Sequence, residues 1–364
     1  MDGNFRGHAG YWRGFLEEAP WRLAENFRLD SGVVRTSAGT FALTVHHGRP
    51  GAAFPCSLHT QYVAYPAAEL SLVQDHAQRR LARIGLRVMD VAFRAWSLDR
   101  TVQWSAGLLS TNLHAPEAAQ AVEEATRLIS RRFPQHAVLV RCLNDLPGSI
   151  PPRVFLDADH HVFASRRVYF FDGREPGFLA KDTVRRDLKA LRKLDGYQVV
   201  GPDGFRPPDV PRILSLYRQL YVEKHSSLNP RYTRRFVERA LAEGWLEFRG
   251  LRNATGVLDG VYGCFSQGDV TSTPFIGYDT SLPTATGLYR HLVALLLSDV
   301  AERRQLLNYS SGAGEFKRRR GGLPVVESNA LCCAHLTPGR RAAYAVTLGL
   351  IERFGRRYLE ENEV

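Results

Sequence analysis

Cysteine and long apolar runs are scarce in this sequence, and each shortage excludes a class of protein. The five cysteines, Cys56, Cys142, Cys264, Cys332 and Cys333, are an odd number with no CxxC and no Cys/His metal spacing, so neither a disulfide framework nor a structural zinc is expected. The longest apolar stretch, Leu292–Leu297, falls far short of the roughly 20 residues that cross a bilayer. The N-terminus carries no basic-then-apolar signal, so the expected location is the cytosol and no membrane partner is expected. Also missing are a GxSxG elbow, a P-loop and a Rossmann fingerprint, which removes the sequence support for hydrolase, NTPase or dehydrogenase chemistry. His160 and His161 beside Asp157 and Asp159 lack a helical i, i+4 pair and distant ligands. They read as a solvated turn, and no metal is expected.

Acidic residues are in deficit: 37 Asp and Glu stand against 48 Lys and Arg, for a net charge of +11 and a pI near 9.6. That balance suits an anionic partner such as RNA, a nucleotide-bearing carrier or an acidic surface, although a GC-rich coding sequence also yields arginine. A hydrophobic content of 44% with 23% charged residues is that of a folded chain throughout. The length suits two domains of about 150–200 residues, divided here as 1–150 and 151–364.

Periodicity gives a mixed α/β order in both parts. In the first, Tyr11–Phe27 has a helical apolar face, Val33–Arg35, Thr40–Val45 and Ser57–Ala64 read as strands, Glu69–Leu86 and Pro116–Phe133 as helices, and His136–Arg141 as a strand. In the second, a strand at Arg166–Phe171 precedes a strongly basic helix, Asp182–Leu194. A helix running to about Glu223 and another over Thr233–Glu243 follow. Then come three strands, Trp245–Leu251, Val257–Ser266 and Val270–Tyr278, a helix from Gly287 to Arg303, a strand Leu306–Ser310 and a C-terminal helix Arg341–Glu361.

Three stretches carry a resemblance. "LEFRGLRNATGVLDGVYGCF" pairs two strands across a turn, "GYDTSLPTATGLYRHLVALLLSDV" runs strand, loop and long helix, and "LLNYSSGAGEFKRRRGG" joins a strand to a Gly-containing turn and an aromatic-Lys pair. Together they resemble the GNAT superfamily of acyltransferases, specifically its Fem-type, aminoacyl-tRNA-dependent branch. The resemblance covers about residues 165–335. It implies an α/β fold with mixed sheets (α+β), built as tandem GNAT-like domains with a degenerate first copy. Lys317 matches the Lys of the Fem-type motif.

The residues support a site in the same place. A loop running into a helix N-terminus offers unpaired N–H groups to an anion, which makes Thr284, Thr286 and Gly287 donor-binding candidates. The Gly-rich CoA loop of the superfamily is incomplete here, since only Gly287 is present. Lys317 can stabilise a developing oxyanion, with Arg318 and Arg319 reaching donor phosphates. Amide formation also needs a proton acceptor and a leaving-group acid: Asp279 and Tyr309 are the catalytic candidates beside Lys317, and Tyr278, Glu223 and His225 the acceptor-binding ones. Arg185, Arg186, Lys189, Arg192 and Lys193 on the basic helix suit an RNA backbone.

Three functions remain open on these grounds. The first is transfer of an aminoacyl group from aminoacyl-tRNA to the amine of a small molecule or peptide. The second is acyl-CoA-dependent N-acylation by the same fold, and the third a non-catalytic RNA-binding module. The acyl donor, aminoacyl-tRNA or acyl-CoA, is expected as a co-substrate, with no permanently bound cofactor. tRNA is the expected macromolecular partner.

Overall fold

The computed structural model of the chain describes residues 6–105 and 107–361. Its strands are β1 (Asp30–Thr36), β2 (Gly39–His47), β3 (Arg100–Trp104), β4 (Ala137–Leu143), β5 (His161–Asp172), β6 (Tyr197–Val200), β7 (Glu247–Asn253), β8 (Leu258–Gln267), β9 (Val270–Tyr278), β10 (Leu306–Asn308) and β11 (Leu323–Cys332). Among the described residues they form one continuous sheet, in the order β1-β2-β3-β4-β11-β5-β10-β9-β8-β7-β6.

One pattern occurs twice in that order. An antiparallel pair, β2–β3 or β8–β9, leads to a parallel step, β3–β4 or β9–β10. A parallel neighbour requires a crossover, supplied by the helix Val122–Arg132 in the first copy and Leu288–Glu302 in the second. The outer partners of these steps are exchanged. β5, which follows β4 in the chain, pairs with β10, whereas β11, which follows β10, pairs with β4. β5 and β11 then pair antiparallel with each other at the centre of the sheet.

Side chains alternate between the two faces of a strand, and each face is covered. Over one, Val122–Arg132 packs on Val138, Val140 and Ala330, and Leu288–Glu302 packs on Tyr169, Phe171 and Leu307. Over the other, His76–Ala95 and Pro338–Leu350 cover Leu139, Phe163 and Leu331. Beside them, Arg6–Glu17 joins Val210–Tyr217 and Arg234–Ala242 over Val168, Phe170 and Leu306. The N-terminal helix thus belongs to the core of the second copy: the Tyr11 ring meets Trp245 and Phe265 edge-on, with centroids 5.8 and 5.3 Å away.

Several elements depart from the sequence reading. Within the expected strand Ser57–Ala64, residues 58–64 are helical instead; the apolar Leu58 and Val63 face one side of a helix that continues to Glu69. The helix expected over Glu69–Leu86 breaks before Asp75, whose carboxylate caps a new helix, His76–Ala95, by accepting from the Ala77 and Gln78 N–H groups. β3, β6 and β11 had no counterpart in the sequence reading. His160 is buried rather than solvated, bonded to Thr126 Oγ1 at 3.2 Å and to the Ala158 carbonyl at 2.8 Å.

Candidate active site

The parallel ladder between β9 and β10 stops at Ser272 and Asn308. Beyond that pair β9 bulges against β8, between Ser272 and Phe275, and Pro274 brings no N–H to continue the pairing. The chain after β10 meanwhile turns away through Ser310 (φ 55°), Gly312 (φ 79°) and Ala313 (φ 50°). Left-handed Ser and Ala are uncommon and cost about 1 kcal/mol each, so the turn must be held by its surroundings. The two strands therefore part into a V.

Lys317 holds one arm of the V. It is buried, and its Nζ donates to the carbonyls of Tyr309, Ser310 and Ser311 at 2.7, 3.1 and 2.9 Å. It also lies over the Tyr309 ring, 4.4 Å from the centroid. Burial, with the nearby Arg166 charge, pushes its pKa well below the usual lysine value. An ammonium has three N–H donors, and all three are engaged, so in this geometry Lys317 is a positioning residue for Tyr309–Ser311.

Beneath that turn lies a polar network that joins both halves of the chain. Arg166 of β5 donates from Nε to Glu327 of β11 at 2.8 Å, from Nη1 to Ser310 Oγ at 3.1 Å and from Nη2 to Thr111 Oγ1 at 3.0 Å. Asn308 donates to the other oxygen of the fully buried Glu327 at 3.1 Å and accepts from the Ser310 N–H at 3.0 Å. Sequence reasoning missed Arg166 and Glu327. They lie 161 positions apart and meet only because β5 and β11 pair.

Aromatic side chains line the opening. Tyr309 is buried, which pushes its pKa well above the ordinary value, and its hydroxyl sits 3.4 Å from that of Tyr289. Tyr289 in turn packs between Tyr278 and Phe316, at 6.1 and 5.0 Å. The Tyr278 hydroxyl accepts from Lys224 Nζ at 3.1 Å; Glu223 and His225, the residues expected on that segment, are exposed on either side of Lys224.

Asp279 serves the loop that follows. It accepts from Arg212 at 2.7 Å and from the Ser281 N–H and hydroxyl. Burial works to raise its pKa, but the bonds from Arg212 and Ser281 outweigh it and hold the carboxyl below the usual range. Thr284 and Thr286 form a single tight turn, and Gly287 (φ 66°) ends it in the left-handed region, where glycine is unstrained. The first backbone bond of the long helix runs from the His291 N–H to the Gly287 carbonyl. The amides of Leu288, Tyr289 and Arg290 precede the ladder and face the loop end of the helix dipole.

The basic helix, Asp182–Arg192, packs beside this helix start. Buried Asp187 joins it to Arg320, whose Nε donates at 2.7 Å, and to Arg290, 3.6 Å away. Arg320 is thereby fixed, while Arg318 and Arg319 are exposed and Arg319 pairs with Glu315. Arg185, Arg186, Lys189, Arg192 and Lys193 all face solvent, and Lys181 lies against Gly321. A cationic surface thus extends from the helix to the turn after Lys317. Among the described residues, no group of His, Cys, Asp and Glu could hold a metal ion.

Residues 180–318 match the family model described as an acetyltransferase (GNAT) domain. The chain carries a GNAT acyltransferase domain. The matched segment runs from the basic helix through β9, the long helix and β10 to Lys317, which are the elements that build the V. Two solved structures resemble nearly the whole chain. One is L-PGS from Bacillus licheniformis, 11% identical with a TM-score of 0.51 over 97% of this chain and 99% of that one. The other is the C-terminal domain of a putative lysylphosphatidylglycerol synthetase from Agrobacterium fabrum, 12% identical with a TM-score of 0.52 over 96% and 98%. At these identities the likeness is one of fold. No curated protein matches the chain.

Proposed function

We propose that the chain moves an aminoacyl group from aminoacyl-tRNA to the amine of a small molecule or peptide at the V between β9 and β10. The observation that carries this reading is the Asp187 clamp. It fixes a helix with five solvent-facing cations beside the donor loop, and such a row suits an extended polyphosphate backbone. A single pyrophosphate needs far less. The relative named as a lysylphosphatidylglycerol synthetase is named for an aminoacyl product, which agrees.

In the proposed reaction the neutral amine attacks the ester carbonyl, the C–N bond forms, and the C–O bond to the terminal ribose breaks. The amine loses one proton and the ribose oxygen gains one. Tyr309 and Tyr278 line the opening where that proton moves, with Lys224 polarising the Tyr278 hydroxyl. Lys317 acts indirectly, by fixing the arm that carries Tyr309. Asp279, Thr284, Thr286 and Gly287 shape the donor loop, and Arg318 and Arg319 extend its cationic edge.

An acyl-CoA donor is the second reading, favoured by the three free amides at the start of Leu288–Glu302. Mass spectrometry of products from charged-tRNA and acyl-CoA mixtures separates the two. The aminoacyl reading expects product with charged tRNA that ribonuclease abolishes; product from acyl-CoA alone, with ribonuclease present, would overturn it. A non-catalytic RNA-binding module would form no product with either donor.

A further inference from the structure

The helix His76–Ala95 fully buries one side chain, Phe93, and turns a second apolar stripe to solvent. Leu81, Ile84, Val88 and Val91 are 72%, 50%, 64% and 65% exposed. Their spacing of three, four and three residues stacks them in one row, on the side of the helix away from Phe93. Arg80, Arg83 and Arg87, all exposed, run along one edge of that row. The helix's own acids do not neutralise them: Asp75 caps the N-terminus, and Asp90 is held by Arg94 and His59.

A second exposed row lies nearby. Val346, Leu350 and Phe354 are 64%, 44% and 61% exposed on the C-terminal helix. Both helices cover the same sheet face, because Phe93 of one and Tyr344 and Leu348 of the other share a cluster over Leu139 and Leu331. Contiguous exposed apolar rows of this kind are rare on soluble surfaces and mark an interaction site.

We propose that this face docks on the surface of an anionic lipid bilayer. The apolar rows would enter the boundary between headgroups and acyl chains, and Arg80, Arg83 and Arg87 would meet lipid phosphates. The charge decides the occupant. A second copy docked through the same face would bring arginine rows together, whereas an anionic bilayer offers an apolar interior and a negative rim at once. Surface docking is separate from crossing, and no helix among the described residues is long and apolar enough to cross a membrane. The face lies on the other side of the sheet from Leu288–Glu302, so it can be altered without touching the V.

The test is sedimentation of the full chain with vesicles of phosphatidylcholine alone or mixed with phosphatidylglycerol. Binding to the mixed vesicles is expected to be at least about tenfold tighter and to weaken with salt. The double variant Ile84→Glu, Val88→Glu loses binding by at least about tenfold at an unchanged melting temperature. Arg83→Gln with Arg87→Gln loses about fivefold per arginine on mixed vesicles only. Equal binding to both vesicle types, or binding that the Glu variant leaves intact, overturns the proposal. So does a concentration-dependent dimer abolished by the Glu variant with no vesicle binding, which assigns the face to a second copy.

Discussion

Lys317 bonds three carbonyls of a turn in which Ser310 has a left-handed φ, so its removal frees strain and leaves three acceptors without their donor. Lys317→Met keeps much of the volume and should cost about 3 kcal/mol, measured by urea denaturation. Turnover should fall at least about a hundredfold with the donor KM little changed, because the arm carrying Tyr309 is misplaced rather than the loop at Thr284–Gly287 that is proposed to meet the donor. A variant with full turnover would remove Lys317 from the machinery. His114 makes the stability of the fold depend on pH. It is buried, its Nε2 bonds the Arg141 carbonyl at 2.7 Å, and its Nδ1 is 3.0 Å from Ser105 Oγ. Desolvation drops its pKa from 6.5 to about 4, so the folded state holds it neutral while the unfolded chain takes up a proton. The stability it contributes is present above pH 6.5 and lost as pH falls towards 4, about 3 kcal/mol in all. Chemical denaturation across that window should show the loss in the wild type and a shallower slope in His114→Asn.

The basic helix acts as a unit, since one buried anchor presents all of its outward cations. Lys189→Ala with Arg192→Ala leaves the Asp187 contacts in place, so stability should change little. If the helix follows an RNA backbone, the dependence of tRNA affinity on log salt should become shallower by roughly 0.7–0.9 per contact removed, while the affinity for CoA stays as it was. An unchanged salt slope would exclude this element from RNA binding. Short windows of sequence mislead about such elements. Ser57–Ala64 has the β-rich composition of a strand, yet Leu58 and Val63 fit a helix over Leu139 and Phe163. Trp245–Tyr278 was legible as three strands because alternation and glycine turns agree there.

Exchange of β5 and β11 makes the two GNAT-like copies one mechanical body, and the Arg166–Glu327 pair lies at the seam. Removing one partner of a buried ion pair leaves the other charge uncompensated. Glu327→Ala should therefore destabilise by about 3–5 kcal/mol, and thermal unfolding should remain a single transition because neither half keeps a complete sheet. Two separate transitions in the wild type would show that the seam is weak.

The sequence by itself determined the local alphabet of the second half. Its three-strand run, its long apolar helix and its aromatic-Lys motif are local patterns, and local periodicity suffices to place them. It also brought Tyr278, Asp279, Gly287, Tyr309 and Lys317 into one region, because β9, the crossover helix and β10 are consecutive. Only the tertiary structure decided what each of these does. Lys317 faces three carbonyls, Asp279 faces Arg212, and Arg320 faces Asp187 from a helix more than a hundred residues earlier. Such partners are set by strand order and exchange, and a long-range pairing leaves no periodic trace in either of the segments it joins.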